Sequence, residues 1–325
     1  MTNRFEIQLM IQVARMYYEG GLTQQQIAEK LAITRQYVSR LLVAAKEKGI
    51  VKIQVSDPTY EDPQLKEKMI RTFGLHDVVL TTSEGLEANM IRSQIGLVGA
   101  DYLTGAIHSG SKIGIGWGRT LYEIVNALPR DRRISIQVVP LIGGIGDMSP
   151  FFQVNDLARR LAETFGGTFR YIYAPAFTQS KAIMESLSKT QEVEQLSRLW
   201  NQLDMAITGI GHVEFQQMSS MFFAEHISPG TLAKLEANGA VGDVCGRFYN
   251  IDGNPVDVGP GVIGVSLEQL QGMPEVVGIA GGIEKTRAII GALRGGFIKT
   301  LVTDTATARE VLAQYGERSS VSRDL

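Results

Sequence analysis

The stretch "LTQQQIAEKLAITRQYVSRLLVAAKEKGIVKIQV", residues 22–55, predicts two short helices joined by a tight turn. Thr23 is a good N-cap, and Gln26, three residues later, completes a capping-box pattern. A three-residue turn at 32–34 leads into a second amphipathic helix, and "IVKIQV" at 50–55 is typical of the strand in the wing of a winged domain. The stretch therefore predicts a (winged) helix-turn-helix.

Apolar side chains define the inner faces of both helices, with Ala28 where the helices cross and Val38 anchoring the second. Polar side chains then occupy the front of the second helix, where Arg and Gln suit the edges of guanine and adenine. The start of the first helix is placed to contact phosphate. Any helical hairpin can show two amphipathic helices, but the turn length and the polar front favour DNA binding. The predicted DNA-binding residues are Thr23, Gln24, Thr34, Arg35, Gln36, Tyr37, Ser39 and Arg40.

The charge distribution supports the same assignment. Residues 1–52 contain eight Lys or Arg and four Glu, a formal +4, which leaves −6 for the remainder of a chain whose total is −2. A basic segment on an acidic remainder predicts that this segment alone meets a polyanion. Ordinary charge scatter is the alternative reading of the charges alone.

The composition argues against several classes of protein. The 325 residues are 44% hydrophobic, enough for two or more domains. No apolar run approaches the roughly 20 residues that cross a bilayer, and the N-terminus lacks a signal-peptide pattern, so a cytoplasmic protein without membrane partners is expected. Cys245 is the single cysteine and the four histidines are scattered, which predicts neither a disulfide framework nor a metal site. No cofactor is expected.

Beyond "SDPTYEDP" at 56–63, a linker rich in prolines and acids, apolar runs that end in glycines alternate with helical stretches. The runs are "KIGIGWG", "ISIQVVPLIGG", "MAITGIG" and "VVGIAGG". Alternating strands and helices predict a parallel sheet covered on both faces, with ligands at the carboxyl ends of its strands. The predicted domains are a helix-turn-helix domain at 1–55, the linker at 56–63, an α/β domain at 64–315 and a polar tail at 316–325.

The ordered combination of these motifs with "GAVGDVCGRFYNIDGNPVD" and "GGIEKTRAIIGALRGGFIKTLVTD" resembles the SorC/DeoR-type bacterial transcriptional regulators of the sugar-binding class. The resemblance runs from about residue 10 to 312. It implies a Rossmann-like effector domain built like ribose-5-phosphate isomerase and glucosamine-6-phosphate deaminase. It also implies a sugar or phosphosugar effector and homotetramers on operator DNA. We expect a homodimer or homotetramer that represses a carbohydrate-metabolism operon, with activation by the effector as the alternative.

The turn "GWGRT", residues 116–120, is the first candidate for a phosphate cradle. A strand that ends in glycines and feeds a helix leaves N–H groups and a positive helix end for an anion. Thr120 adds a hydroxyl and Arg119 a charge, unless Arg119 is only an exposed side chain at a helix start. Trp117 either walls the pocket or packs against the body. The predicted effector-binding residues of this turn are Gly116, Trp117, Gly118, Arg119 and Thr120.

Four more candidate effector-binding residues lie at the end of a predicted strand or in the stretch "FFQVND" after it. Gly143 and Gly144 end another strand, and Asn155 matches a polar position of the family that suits a sugar hydroxyl. Gln153 lies on the same stretch as a weaker candidate. For both Gln153 and Asn155, capping of the loop is the alternative.

Asp243 and Lys285 are the two charged candidates. A carboxylate in the apolar setting of Asp243 needs a partner, and the resemblance supplies effector hydroxyls, with a salt bridge to Arg247 as the structural alternative. Lys285 follows a glycine turn at a helix start, where a cation opposes the helix dipole. A bound phosphate would explain it, and this lysine matches the phosphate-binding lysine of the family.

An enzyme resembling a sugar-phosphate isomerase or deaminase, with an accessory DNA-binding head, is the alternative function. Such an enzyme needs a positioned carboxylate base, which Asp243 with Lys285 could imitate. No lysine lies in "PLIGGIGD" at 140–147, so an imine with an aldose is not favoured there. The sequence therefore predicts a regulator with no catalytic residues.

Overall fold

The computed structural model of the chain describes residues 4–51, 62–129, 132–146, 152–213, 228–257 and 261–321. The chain divides into two compact units, Met1–Ser56 and Asp57–Leu325, called the head and the body below.

Three α-helices and one π-helical segment form the described part of the head. Met10, Val13, Ile27, Val38 and Leu41 are at most 2% exposed and build a separate small core. The π-helical segment ends before Gly20-Gly21, where Gly21 has a φ of +63°. The elements are α1 (Arg4–Ala14), the π-helical segment Arg15–Glu19, α2 (Gln24–Leu31) and α3 (Arg35–Glu47).

The predicted helix-turn-helix is confirmed in detail. Thr23 accepts a hydrogen bond from the Gln26 N–H, and the Gln26 side chain accepts one from the Thr23 N–H. Ala32 ends α2 with a φ of +53°, the left-handed backbone for which glycine is the usual choice. Ile50 and Val51 pack against the head core without forming a strand. The rest of the predicted wing strand, 52–55, lies outside the described residues.

A seven-stranded parallel sheet forms the centre of the body, as predicted. Its strand order is β1-β10-β9-β5-β2-β3-β4, so the connections reverse direction between β2 and β5. Such a switch point opens a crevice at the carboxyl ends of the two strands. The strands are β1 (Asp77–Thr81), β2 (Lys112–Ile115), β3 (Gln137–Pro140), β4 (Thr168–Phe169), β5 (Met205–Gly209), β9 (Glu275–Ile279) and β10 (Thr300–Asp304).

Helices cover both faces of this sheet. One core contains buried side chains of α5, α6 and α7 with those of β2, and a second contains side chains of α4, α9, α12 and α13. Helices packed on both faces confirm the predicted doubly wound α/β class. The body helices are α4 (Pro63–Phe73), α5 (Ala88–Ala106), α6 (Arg119–Ala127), α7 (Val154–Phe165), α8 (Lys181–Ser188), α9 (Gln191–Trp200), α10 (Pro229–Ala237), α11 (Leu267–Gly272), α12 (Thr286–Arg294) and α13 (Thr305–Val321), with a 3-10 turn at Ile283–Lys285.

A second, antiparallel sheet of three strands was not predicted. Its strands are β6 (Gly211–His212), β7 (Ala240–Val244) and β8 (Arg247–Asn250). Cys245 and Gly246 connect β7 to β8 with φ values of +50° and +73°, the pattern of a two-residue hairpin turn. Asp243 pairs with Gly211 across β6 and β7, at the carboxyl end of β5.

The C-terminal tail differs from the prediction. A polar tail was expected from residue 316, but α13 continues through this segment to Val321. The helix is anchored upstream by the buried Ala308 and Val311. A glycine inside a helix costs only about 1 kcal/mol, so Gly316 does not end it.

Candidate functional site

The predicted DNA-binding residues lie together at the starts of α2 and α3. Thr34 is the N-cap of α3 and accepts a hydrogen bond of 3.2 Å from the Tyr37 N–H. Thr34, Arg35, Gln36 and Arg40 are exposed, whereas Tyr37 and Ser39 are half-buried. This surface offers amide, hydroxyl and guanidinium groups from one exposed helix start, the arrangement with which a recognition helix contacts base edges.

An open hollow of about 730 Å³ adjoins this surface and is lined by Tyr17, Thr23, Gln24 and Arg35. Because it brings the start of α2 together with Arg35, three of the predicted DNA-binding residues share one concave surface. Residues from two separate helices thus face a common ligand-sized space on the head.

Three of the body candidates contact the last residues of β5 or the residues that lead into β6. Gly116 continues the parallel ladder, since its N–H donates to the Ile207 carbonyl. Asp243 lies opposite Gly211, and the Lys285 ammonium donates a 2.9 Å hydrogen bond to the Ile210 carbonyl. Residues that are far apart in the sequence therefore meet at the switch point of the sheet.

Asp243 is 3% exposed, and its two carboxylate oxygens differ. Oδ2 accepts a 3.0 Å hydrogen bond from the Gly246 N–H, while Oδ1 has no hydrogen-bond partner among the described residues. Burial raises the pKa of Asp243 to about 6, although the Gly246 N–H and Lys285 act to lower it. An unsatisfied buried carboxylate oxygen is costly, so this position is poised for a ligand donor.

The alternative partner for Asp243, Arg247, is engaged elsewhere. Its guanidinium donates to the backbone carbonyls of Val262, Gly264 and Val265 at 3.0–3.2 Å. Burial lowers the pKa of Lys285, and the neighbouring Glu284 and Asp243 carboxylates act in the opposite direction. The charge that faces Asp243 is therefore that of Lys285.

At the glycine turn, the N–H groups of two glycines that were predicted to contact an anion are already hydrogen-bonded. The Gly116 N–H donates to Ile207 and the Gly118 N–H donates to the Phe152 carbonyl at 3.3 Å, so neither is free for an anion. Gly118 is the N-cap of α6 with a φ of +119°, and α6 has no side-chain cap. The N–H groups in the first turn of α6, which include that of Thr120, stay the predicted contacts for an anion.

Trp117, Arg119 and Thr120 are half-buried at this turn. The Trp117 ring lies 6.1 Å from the ring of Phe177, centroid to centroid, and packs at the border of the larger body core. Trp117 thus packs against the body along one edge, and its role as a pocket wall stays a prediction.

Gly143 and Gly144 have committed N–H groups as well, which donate to the carbonyls of Ile263 and Ala174 at 2.9 Å. A methyl group on Gly143 would overlap the backbone of Pro175. Close approach of two backbone segments therefore explains Gly143. Contact of either glycine with an effector stays a prediction. Any such contact would not use the N–H groups, because both are already hydrogen-bonded.

Asn155 and Gln153 bind backbone groups. The Asn155 amide donates to the Ile172 carbonyl and accepts from the Ile172 N–H, both at 2.9 Å. Gln153 makes the same pair of contacts with the backbone of Ile145. The predicted loop-anchoring alternative therefore describes both side chains in this structure, and their contact with a sugar hydroxyl stays a prediction.

Two residues of the site were missed by sequence reasoning. Thr208 is 1% exposed, and its hydroxyl lies 3.4 Å from the Cys245 sulfur. Gly211 faces Asp243 so closely that an added methyl group would overlap Oδ1. A glycine two residues after the end of a strand in "MAITGIG" was the available signal for Gly211.

The described residues contain no helix that is long and apolar enough to cross a membrane. Within the same residues, no group of three or more His, Cys, Asp or Glu side chains is arranged to hold a metal ion.

Comparison with known families and structures agrees with this architecture. Residues 57–313 match the family described as "Putative sugar-binding domain", and residues 11–48 match sigma-70, region 4. The sorbitol operon regulator of Klebsiella pneumoniae is 32% identical over 96% of this chain and 100% of its own length. The deoxyribonucleoside regulator of Bacillus subtilis is 31% identical over 95% of this chain and 99% of its own length.

The fold is similar to solved structures over the same span. The full-length sorbitol operon regulator SorC from Klebsiella pneumoniae has a TM-score of 0.74, covering 96% of this chain and 100% of that one at 32% identity. A DeoR family transcriptional regulator from Listeria monocytogenes has a TM-score of 0.69 at 26% identity, covering 76% of this chain and 98% of that one. These relatives are named as regulators, which favours a regulator over the enzyme alternative.

Proposed function

The chain belongs to the SorC/DeoR-type sugar-binding transcriptional regulators, and from this premise we propose that it represses a carbohydrate-metabolism operon until a sugar or phosphosugar binds its body. The head inserts α3 into a major groove of operator DNA. The effector binds at the carboxyl ends of β2 and β5. The protein acts in the cytoplasm as a homodimer or homotetramer.

One observation carries this proposal: the buried Asp243 has a carboxylate oxygen without a hydrogen-bond partner beside the Lys285 ammonium. A sugar hydroxyl supplies the donor that Oδ1 lacks, which offsets the cost of burying the charge. A phosphate group neutralises Lys285 and accepts from the N–H groups that begin α6. The pair thus recognises a polyol that carries a phosphate.

Self-association follows from the energetics of DNA binding. A single head makes only a few phosphate contacts, so it binds DNA weakly at physiological salt. Paired heads on repeated half-sites gain affinity through their high effective concentration. The effector changes DNA affinity only if it binds two arrangements of the subunits with different affinity.

A thermal-shift screen of the full-length protein against phosphorylated and free sugars tests the effector site. We expect a phosphosugar to raise the melting temperature of wild type, and Lys285→Ala to abolish that rise. Arg287→Ala is the matched control, because Arg287 is an exposed cation two residues away. A normal response of Lys285→Ala to every phosphorylated sugar would contradict the assignment. Conversion of a phosphosugar to product at useful rates would instead support the enzyme alternative.

A further inference from the structure

Arg40 and Tyr37 form a stacked pair on α3. The guanidinium carbon of Arg40 lies 5.4 Å from the centroid of the Tyr37 ring, within the range of cation–π attraction. The two residues are three positions apart, so they occupy the same side of the helix. Because long helical side chains lean toward the helix N-terminus, Arg40 runs back over the first turn of α3.

The Tyr37 side of this pair is held firmly by the head. Its N–H donates to the Thr34 hydroxyl at 3.2 Å and to the Thr34 carbonyl at 3.0 Å. Its ring is half-buried and packs against the small core of the head. The ring therefore has one face on a fixed core and presents a surface to the guanidinium.

Arg40, by contrast, is exposed. Within the described part of the head, no carboxylate forms an ion pair with it. Its five N–H donors are therefore not neutralised by an acid, while its position is restricted by the ring beneath it. An arginine whose planar guanidinium is already oriented loses less side-chain entropy when it binds two acceptors that lie in one plane.

We propose that Tyr37 is a positioning residue, whose ring orients the Arg40 guanidinium for the O6 and N7 acceptors of a guanine in the major groove. This inference rests on the proposed function of the head and names how one of its side chains gains base discrimination. It assigns Tyr37 a role through Arg40, in place of direct contact of the phenol with DNA. Tyr37 therefore affects which sequence is bound more than how tightly DNA in general is bound.

The test uses a duplex that the full-length protein itself selects from a randomised pool. Each guanine is replaced in turn by 7-deazaguanine, which lacks the N7 acceptor. The ratio of the two dissociation constants measures discrimination at that base. For wild type, we expect a ratio of about tenfold or more at one guanine, the size of a bidentate arginine contact.

The variants separate ring, hydroxyl and guanidinium. Tyr37→Phe keeps the ring and should keep the ratio, whereas Tyr37→Leu keeps apolar bulk and should lower it about three- to fivefold. Arg40→Ala should bring the ratio to one, and adding Tyr37→Leu to it should change nothing further. A far-ultraviolet circular dichroism spectrum of Tyr37→Leu that matches wild type shows that the head remains folded.

Two results would overturn the inference, and they differ from each other. If Tyr37→Leu weakens native and 7-deazaguanine duplexes by one common factor, also in the Arg40→Ala background, the ring acts independently of Arg40. If Arg40→Ala keeps the wild-type ratio at every guanine, then Arg40 does not read a guanine and the proposed recognition surface itself is wrong.

Discussion

The head and the body place their functional side chains in opposite environments. In the head, Arg35 and Arg40 are exposed on one helix and come from six consecutive residues. In the body, Asp243 is 3% exposed and meets a lysine 42 positions later in the chain. An exposed charge acts through reach and orientation, whereas a buried charge acts through the free energy that a ligand recovers by pairing it.

This difference predicts that substitutions in the body couple stability to ligand binding, while those on the surface of the head change stability by about 1 kcal/mol or less. Substitutions at Gly143, Asp243 and Thr34 test this contrast.

Gly143→Ala should give the largest loss of stability, on the order of 3 kcal/mol, because its methyl group would overlap the Pro175 backbone. Gly144→Ala is the matched control, since its methyl group would meet only the Gln153 side chain at 3.7 Å. Urea unfolding of both variants measures the difference. Equal stabilities would show that the close approach at Gly143 does not constrain the body.

Asp243→Asn should remove a pH dependence. The folded-state pKa of about 6 lies above the ordinary aspartate value of 3.8, so the protonated carboxyl favours folding. That contribution is complete below about pH 4 and is lost as the pH rises to about 6, a change on the order of 3 kcal/mol. The amide does not titrate.

Urea unfolding of wild type and Asp243→Asn between pH 4 and pH 8 checks this expectation. The stability of wild type relative to the variant should fall across the window of pH 4 to pH 6 and stay level above it. A difference that is constant with pH would mean that Asp243 is not a costly buried charge, and the contrast between the two units would fail.

The smallest effect belongs to the head. Thr34→Ala removes the cap of α3 and should cost about 1 kcal/mol of head stability. Thr34→Ser keeps a hydroxyl and serves as the control. Thermal unfolding followed by circular dichroism, together with DNA affinity, separates the cap from a phosphate contact. A DNA defect in Thr34→Ala without any loss of stability would assign Thr34 to the DNA interface alone.

The head could be predicted almost residue by residue because its information is local. The capping box of Thr23 and Gln26 and the left-handed turn at Ala32 depend on neighbours within a few positions. In the body, apolar runs ending in glycine correctly predicted a parallel sheet and the edge at which candidate residues meet. The hydrogen-bond partners of the side chains in the body could not be predicted from the sequence, since they depend on which distant strands become neighbours.

Three residues illustrate that limit. Gly116 looked like a free N–H donor, but parallel pairing with β5 commits its N–H to Ile207. Asn155 was predicted to contact a sugar hydroxyl, yet its side-chain amide donates to and accepts from the backbone of Ile172. Gly211 was not singled out, because its close approach to Asp243 exists only after β6 and β7 have paired.

The most direct test of the account is the dissociation constant for operator DNA, measured with and without the identified phosphosugar, in wild type and Lys285→Ala. We expect the phosphosugar to weaken DNA binding by wild type at least fivefold, a typical coupling between sites. Lys285→Ala should bind DNA like wild type without effector and show no change when the effector is added. An equal response in both proteins would contradict the claim that the effector site of the body, at Lys285, controls the head.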